Sequence, residues 1–230
     1  MSDLESQVAK AVAGSAKDRV DLAVKLALLL DLSPGVETEG DTAAVRLPAS
    51  LAAFYEGLGR GGRRPWQNPI LDQAGVHARD GKLVFALENQ GVYSWATDGD
   101  SDDPYVHGRF EETDPWRREE PRLSTFLLQF TLHELLAGAR HCAAHSCMAP
   151  STFAAIAADL RTADLPAWRW PAYPARFHLR GNAIAFVCPN VTPGESATDP
   201  WLSFWVGAAH VEDLAFVRTY LDSSWEVVPE

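Results

Sequence analysis

Apolar side chains recur at helical spacing in four segments of the chain. Residues 15–32 place Val20, Ala23, Val24, Ala27 and Leu28 on one helix face, with Ser15 positioned to cap the N-terminus. An earlier helix is expected within 3–13, and another opens at Leu47-Pro48 and ends near Leu58. The segment 125–137 is apolar on most sides, which predicts a helix at the centre of the core.

The middle of the chain predicts strands. Lys82–Leu87 and Gly91–Thr97 have β-type composition, and the Glu88-Asn89-Gln90 segment between them, with Gly91 as the positive-φ residue, indicates a hairpin. A further strand is expected at Tyr105–Phe110, and an irregular run with two prolines follows it.

A similar order of elements recurs in the second half. The pattern predicts a helix, three strands and a second helix, at Phe153–Leu160, Phe177–Leu179, Ala183–Cys188, Trp201–Gly207 and Val211–Leu221. His77, Arg79, Phe85 and Asn89 reappear as the same residue types 101 positions later, at His178, Arg180, Phe186 and Asn190. We therefore expect an α+β protein with residues 1–139 as the first domain, 140–149 as a linker and 150–230 as a second, diverged α+β copy. Chance similarity of two amphipathic patterns is the alternative.

Composition and charge narrow the function classes. The 230 residues are 47% hydrophobic and 22% charged, which is ordinary for a folded protein. The net charge of −11 argues against a nucleic-acid partner and favours a basic protein partner. Charged residues interrupt the most apolar stretch, Val20–Leu32, and residues 1–5 lack the features of a secretory signal. We expect no membrane association, a cytoplasmic location and reduced thiols at the three cysteines.

Three short motifs each lack a residue that their chemistry requires. The glycines that begin at Gly57 fit a dinucleotide-binding pattern, but they follow a helix and not a strand. His133-Glu134 opens a zincin-like motif, yet Ala137 occupies the place of the second histidine. Asp98–Asp103 resembles the start of a calcium loop but has no glycine at its sixth position, and Arg109 stands at the twelfth.

A run of histidines and cysteines is the strongest candidate for a metal site. His141, Cys142, His145 and Cys147 are suitable zinc ligands. They form one short run with no second pair elsewhere to complete the coordination, so they are interpreted as part of the linker. No metal, cofactor or catalytic residue is predicted.

The partner-binding prediction rests on aromatic residues beside acidic ones. Trp95 and Trp116 flank the acidic run 98–103, and exposed tryptophan beside charge often concentrates binding energy. The predicted contact residues are Trp95, Asp98, Asp100, Asp102, Asp103 and Trp116. The acids between Glu111 and Glu120 alternate with arginines and predict a solvated, mutually paired loop.

The segment from Leu47 to about Leu136 resembles the SMI1/KNR4 family of the SUKH superfamily. The resemblance lies in Leu47-Pro48 opening a helix that ends at Gly61-Gly62, in the run Phe85-Ala86-Leu87-Glu88-Asn89-Gln90-Gly91, and in the apolar helix near 125–137. It implies an α+β domain with a mixed or antiparallel sheet flanked by helices. Bacterial members of this family are thought to be mostly immunity proteins that bind and neutralise toxins, many of them nucleases, and the family brings no catalytic residues.

The leading hypothesis is a non-enzymatic immunity protein that occludes the active site of a basic toxin. A scaffold or regulatory module that binds an endogenous protein or small ligand is the first alternative. A hydrolase with a His/Cys metal site is the second. The sequence does not predict the oligomeric state.

Overall fold

A computed structural model describes residues 2–33, 45–59, 64–190 and 201–227. Five helices lie in these ranges, and their bounds are α1 Leu4–Ala13, α2 Ala16–Leu29, α3 Ala49–Leu58, α4 Leu123–Ala137 and α5 Pro150–Ala157. None of them combines the length and the apolar character that crossing a lipid bilayer requires. The expected helix end at Gly61-Gly62 lies outside the described residues.

The thirteen strands of the described ranges form one two-stranded parallel pair and two antiparallel sheets. The parallel pair joins β1 (Leu32–Ser33) to β2 (Arg64–Pro65). The five-stranded sheet has the order β3-β4-β5-β6-β7, with bounds His77–Arg79, Lys82–Leu87, Ser94–Thr97, Tyr105–Arg109 and Arg117–Arg122. The six-stranded sheet has the order β13-β8-β12-β11-β10-β9, with bounds Glu226–Val227, His141–Met148, Leu202–Ala208, Ala183–Pro189, Arg176–Arg180 and Arg161–Thr162. The α+β class is confirmed.

Contacts divide the chain into two units that differ from the predicted domains. The first unit is Gly14–Leu135, and the second combines Met1–Ala13 with Leu136–Glu230. Residues 140–149 are not a linker, because β8 occupies 141–148 and pairs with both β12 and β13. The helix expected at Val211–Leu221 is instead two 3₁₀ turns, Val211–Leu214 and Arg218–Tyr220.

The core of the first unit forms where α4 packs on the five-stranded sheet. Leu123 to Phe130 contribute several fully buried side chains, as the apolar character of this segment on most sides predicts. Phe126 meets Phe85 edge-to-face at 5.7 Å, and Phe130 meets Trp95 edge-to-face at 5.4 Å. The opposite face of the sheet carries a small cluster of Leu71, Val84 and Ala96, against which Leu87 and Trp116 pack.

The second unit contains a hairpin with the same register as one in the first. His77 pairs with Val84 and Arg79 with Lys82; 101 residues later, His178 pairs with Ala185 and Arg180 with Ala183. The turns differ, because Asp80 and Gly81 both have positive φ whereas only Gly181 does in the second hairpin. The two hairpins thus share a register, and the duplication of the two halves stays a prediction. The expected insertion at Pro193–Pro200 lies outside the described residues.

Candidate functional site

The turn that carries the family resemblance is held together by a buried carboxylate. Glu88 is 6% exposed and accepts hydrogen bonds from the backbone N–H groups of Gln90 (2.8 Å) and Val92 (3.3 Å). Gly91 adopts φ +75°, which glycine reaches without strain. Asn89 donates its N–H to the side chain of Asn68 at 3.3 Å, so a second loop braces the turn. Glu88 therefore fixes the backbone of this turn. The side chain of Val92, at the end of the turn, is 49% exposed.

A second buried carboxylate fixes the loop that contains Asn68. Glu134, 4% exposed, accepts the N–H groups of Gln67 (2.5 Å) and Asn68 (3.1 Å) and the side-chain amide of Asn68 (3.1 Å). Three donors to one carboxylate satisfy its charge inside the protein. Glu134, half of the zincin-like pair, is thus a structural residue that ties α4 to this loop.

The two tryptophans predicted as contact residues lie on opposite faces of the first unit's sheet. Trp95 is 0% exposed, because β5 points it at α4, where it packs on Phe126 and Phe130. Because its side chain is fully buried in the folded protein, Trp95 cannot contact a partner, and its prediction as a contact residue is wrong. Trp116 is half-buried on the other face of the sheet, with the Arg109 guanidinium 4.1 Å from its ring centroid.

The four predicted aspartates separate into two kinds. Asp98 accepts hydrogen bonds from Lys82 Nζ (2.5 Å) and from His107 Nε2 (3.0 Å). Asp103 accepts from Ser50 Oγ (3.0 Å), from the Ser124 N–H (2.7 Å) and from Ser124 Oγ (2.8 Å), and so holds the beginnings of α3 and α4. Asp100 and Asp102 are exposed to solvent. Partial burial raises the pKa of Asp98, but the hydrogen bonds from Lys82 and His107 outweigh it, and the pKa lies below its ordinary value.

The residues considered as a metal site, His141, Cys142, His145 and Cys147, lie along β8 in the second unit. Successive side chains of a strand point to opposite faces, so Cys142 and His141 do not converge. Within the described ranges, no three His, Cys, Asp or Glu side chains come close enough to share a metal ion. The third cysteine, Cys188, is buried, and burial raises the pKa of its thiol to about 12, which keeps it protonated and unreactive.

One hydrogen-bonded chain in the second unit has the residue types of a serine hydrolase. Ser224 Oγ lies 3.0 Å from His145 Nε2 and 2.5 Å from Asp222 Oδ1. His145 Nδ1 accepts the N–H of Cys147 at 3.1 Å, so Nε2 carries the proton and donates to Ser224, which donates to Asp222. A histidine in that tautomer cannot take the serine proton, and the order differs from a catalytic triad, in which the histidine lies between serine and aspartate.

The solvated loop predicted between Glu111 and Glu120 is wrong in part, because residues 111–116 fold over the outer face of the first unit's sheet and β7 begins at Arg117. Arg79 pairs with Glu112 at 2.7 Å, and Arg109 Nη1 pairs with Asp80 at 2.8 Å. Together with Trp116 these contacts hold the segment 111–116 across the sheet. The alternation of acids and arginines predicted paired charges, but no local signal indicated that the partners would lie on β3 and its turn.

Comparison of the chain with models of protein families, with curated proteins and with solved structures finds no match.

Proposed function

We propose that this protein is a non-enzymatic, acidic immunity protein that binds a cognate basic toxin, such as a nuclease, and neutralises it by occluding the toxin's active site. The observation that carries the proposal is the exposure of acidic loops in the unit that bears the family resemblance. Asp100, Asp102, Glu111 and Asp114 are all exposed there.

Electrostatics supports this mechanism. A toxin that grips a phosphate backbone presents a basic cleft, and a protein with a net charge of −11 is drawn to such a surface. Occlusion needs only a rigid, complementary surface. In the same unit, the turn at Glu88 is braced by hydrogen bonds to a buried carboxylate, and Glu112 of the acidic loop pairs with Arg79.

Calorimetry tests the proposal. The titrant is an inactive variant of a basic nuclease toxin domain, chosen from the genes that neighbour this one. A parallel assay measures the active toxin with and without this protein. We expect stoichiometric binding that weakens as salt rises, together with loss of toxin activity. Absence of binding at low salt would overturn the proposal, and binding that persists unchanged in high salt would favour the scaffold alternative.

A further inference from the structure

We infer that Phe110 and Val92 form the apolar anchor of the docking surface, and that the partner is a basic protein with an apolar recess. This inference rests on the proposed function. It assigns the aromatic contact to Phe110 in place of Trp95 and Trp116. Phe110 is 50% exposed and Val92 is 49% exposed. Exposed aromatic side chains beside a polar rim are the usual centres of binding energy in protein interfaces.

Strand register brings the two residues to the same end of the sheet. Ser94, the first residue of β5, pairs with Arg109, the last residue of β6. Val92 therefore precedes β5 at the same end of the sheet at which Phe110 follows β6. The ring of Tyr93, which lies between them in this order, meets the Phe110 ring edge-to-face at 4.8 Å.

Both anchors are held by buried groups beneath them. Tyr93 is 2% exposed and donates its hydroxyl to the buried carboxylate of Glu119 at 3.0 Å. Val92 is fixed through the hydrogen bond of its N–H to Glu88. Side chains that are already ordered lose little conformational entropy on binding, so exposed apolar area at this point is available for affinity.

The charge around the anchors selects the partner. Glu111, Glu112 and Asp114 follow Phe110 directly and are exposed. The N–H of Asp114 donates to the carbonyl of Glu111 at 3.0 Å, which closes this segment into a turn. An acidic rim beside an apolar anchor is complementary to a basic surface and unfavourable for an acidic one.

The chain offers a matched control on a different surface of the first unit. Leu29, at the end of α2, is 70% exposed and lines an apolar groove with Val24 and Leu28. Phe110→Ala and Leu29→Ala each remove an exposed apolar side chain. Glu111→Lys reverses one rim charge and leaves the anchors in place.

Calorimetry and stopped-flow association with the inactive toxin domain described above test the surface. We expect Phe110→Ala to weaken binding about 30-fold and Leu29→Ala to change it less than about twofold. Glu111→Lys should slow association at low salt, and the difference should shrink at high salt. Thermal melts of each variant before titration show that the protein tested is folded.

The outcomes separate the surface from the function. If the wild type binds and Phe110→Ala binds equally well, or only Leu29→Ala loses affinity, the docking surface is wrong and the proposed function stands. If the wild type does not bind at low salt, the proposed function fails, and the docking surface for this partner fails with it.

Discussion

Single residues in this protein are constrained by packing that sequence reasoning cannot see. Trp95 and Trp116 both stand beside acidic residues, and that context favoured exposed contacts for both. The register of β5 instead directs Trp95 into the core, while Trp116 covers the opposite face. The side chain's face depends on strand register, and a bulge in β4 between Val84 and Ala86 shifts that register.

Gly108→Ala tests how tightly Tyr93 is packed. An added Cβ at Gly108 would collide with the buried Tyr93 hydroxyl, so we expect a loss of about 1–3 kcal/mol in the free energy of unfolding. Gly99→Ala is the control, because its Cβ would meet Leu83 Cδ1 at an ordinary 3.4 Å. Urea unfolding measures both, and equal stability of the two variants would contradict the packing described.

His178 predicts a pH dependence of stability. Burial, and secondarily the charge of Arg176, lowers its pKa from 6.5 to about 4. Between these values the unfolded chain binds a proton that the native state does not. The free energy of unfolding should therefore fall as pH drops from about 6.5 to 4, by about 3 kcal/mol at most.

His178→Gln should flatten this dependence when unfolding is measured at pH 7 and at pH 4.5. His210→Gln is the matched control, because His210 is exposed. If the pH dependence of unfolding survives in His178→Gln and disappears in His210→Gln, His178 is not its source and the prediction is wrong.

At the scale of elements, strong local patterns were sufficient to predict a helix or strand, and weak patterns were not. The hairpin of β4 and β5 and the apolar α4 were predicted to within a few residues, because composition and turn chemistry agree there. β7 was missed, since its buried positions are Glu119 and Pro121, which hide the alternation of a strand. β8 was missed because it consists mainly of histidine, cysteine and alanine and its burial does not alternate along the strand.

Ser15→Ala tests the capping prediction for α2. Ser15 Oγ accepts the N–H of Asp18, and the Asp18 carboxylate accepts the N–H of Ser15 at 2.7 Å, so both directions of the capping box are present. We expect Ser15→Ala to cost about 1 kcal/mol in the free energy of unfolding. Lys17→Ala, which removes an exposed ion pair to Asp21 in the same helix, should cost less than about 0.5 kcal/mol. Chemical denaturation that ranks the two variants in the reverse order would refute this assignment.

At the scale of the whole molecule, the chain leaves the second unit after α1 and returns to it after α4. Leu4 and Val8 are buried, the Glu5 N–H donates to the carbonyl of Gly181 at 2.9 Å, and the Gly181 N–H donates to Glu5 at 3.0 Å. No local pattern encodes such a pairing of residues more than 170 positions apart. The sequence therefore predicted two contiguous domains. Only the contacts of the folded chain reveal that the second unit is built from two separate segments.

Val8→Asp tests this discontinuity. A charge buried at a site that is 1% exposed should loosen the second unit, so amide exchange over β10 and β11 should become faster. The equivalent hairpin of the first unit, β3 and β4, serves as the internal reference. Lys10→Asp, at an exposed position of the same helix, should leave exchange in both hairpins unchanged.

The outermost position of β7 has a consequence for behaviour at high concentration. Pro121 has no N–H to offer a neighbouring chain, and four charged side chains, at Arg117, Arg118, Glu120 and Arg122, project from the same strand into solvent. A second molecule that tried to extend this sheet would meet an incomplete ladder and unfavourable desolvation of these charges. This border thus discourages fibril growth by edge-to-edge stacking.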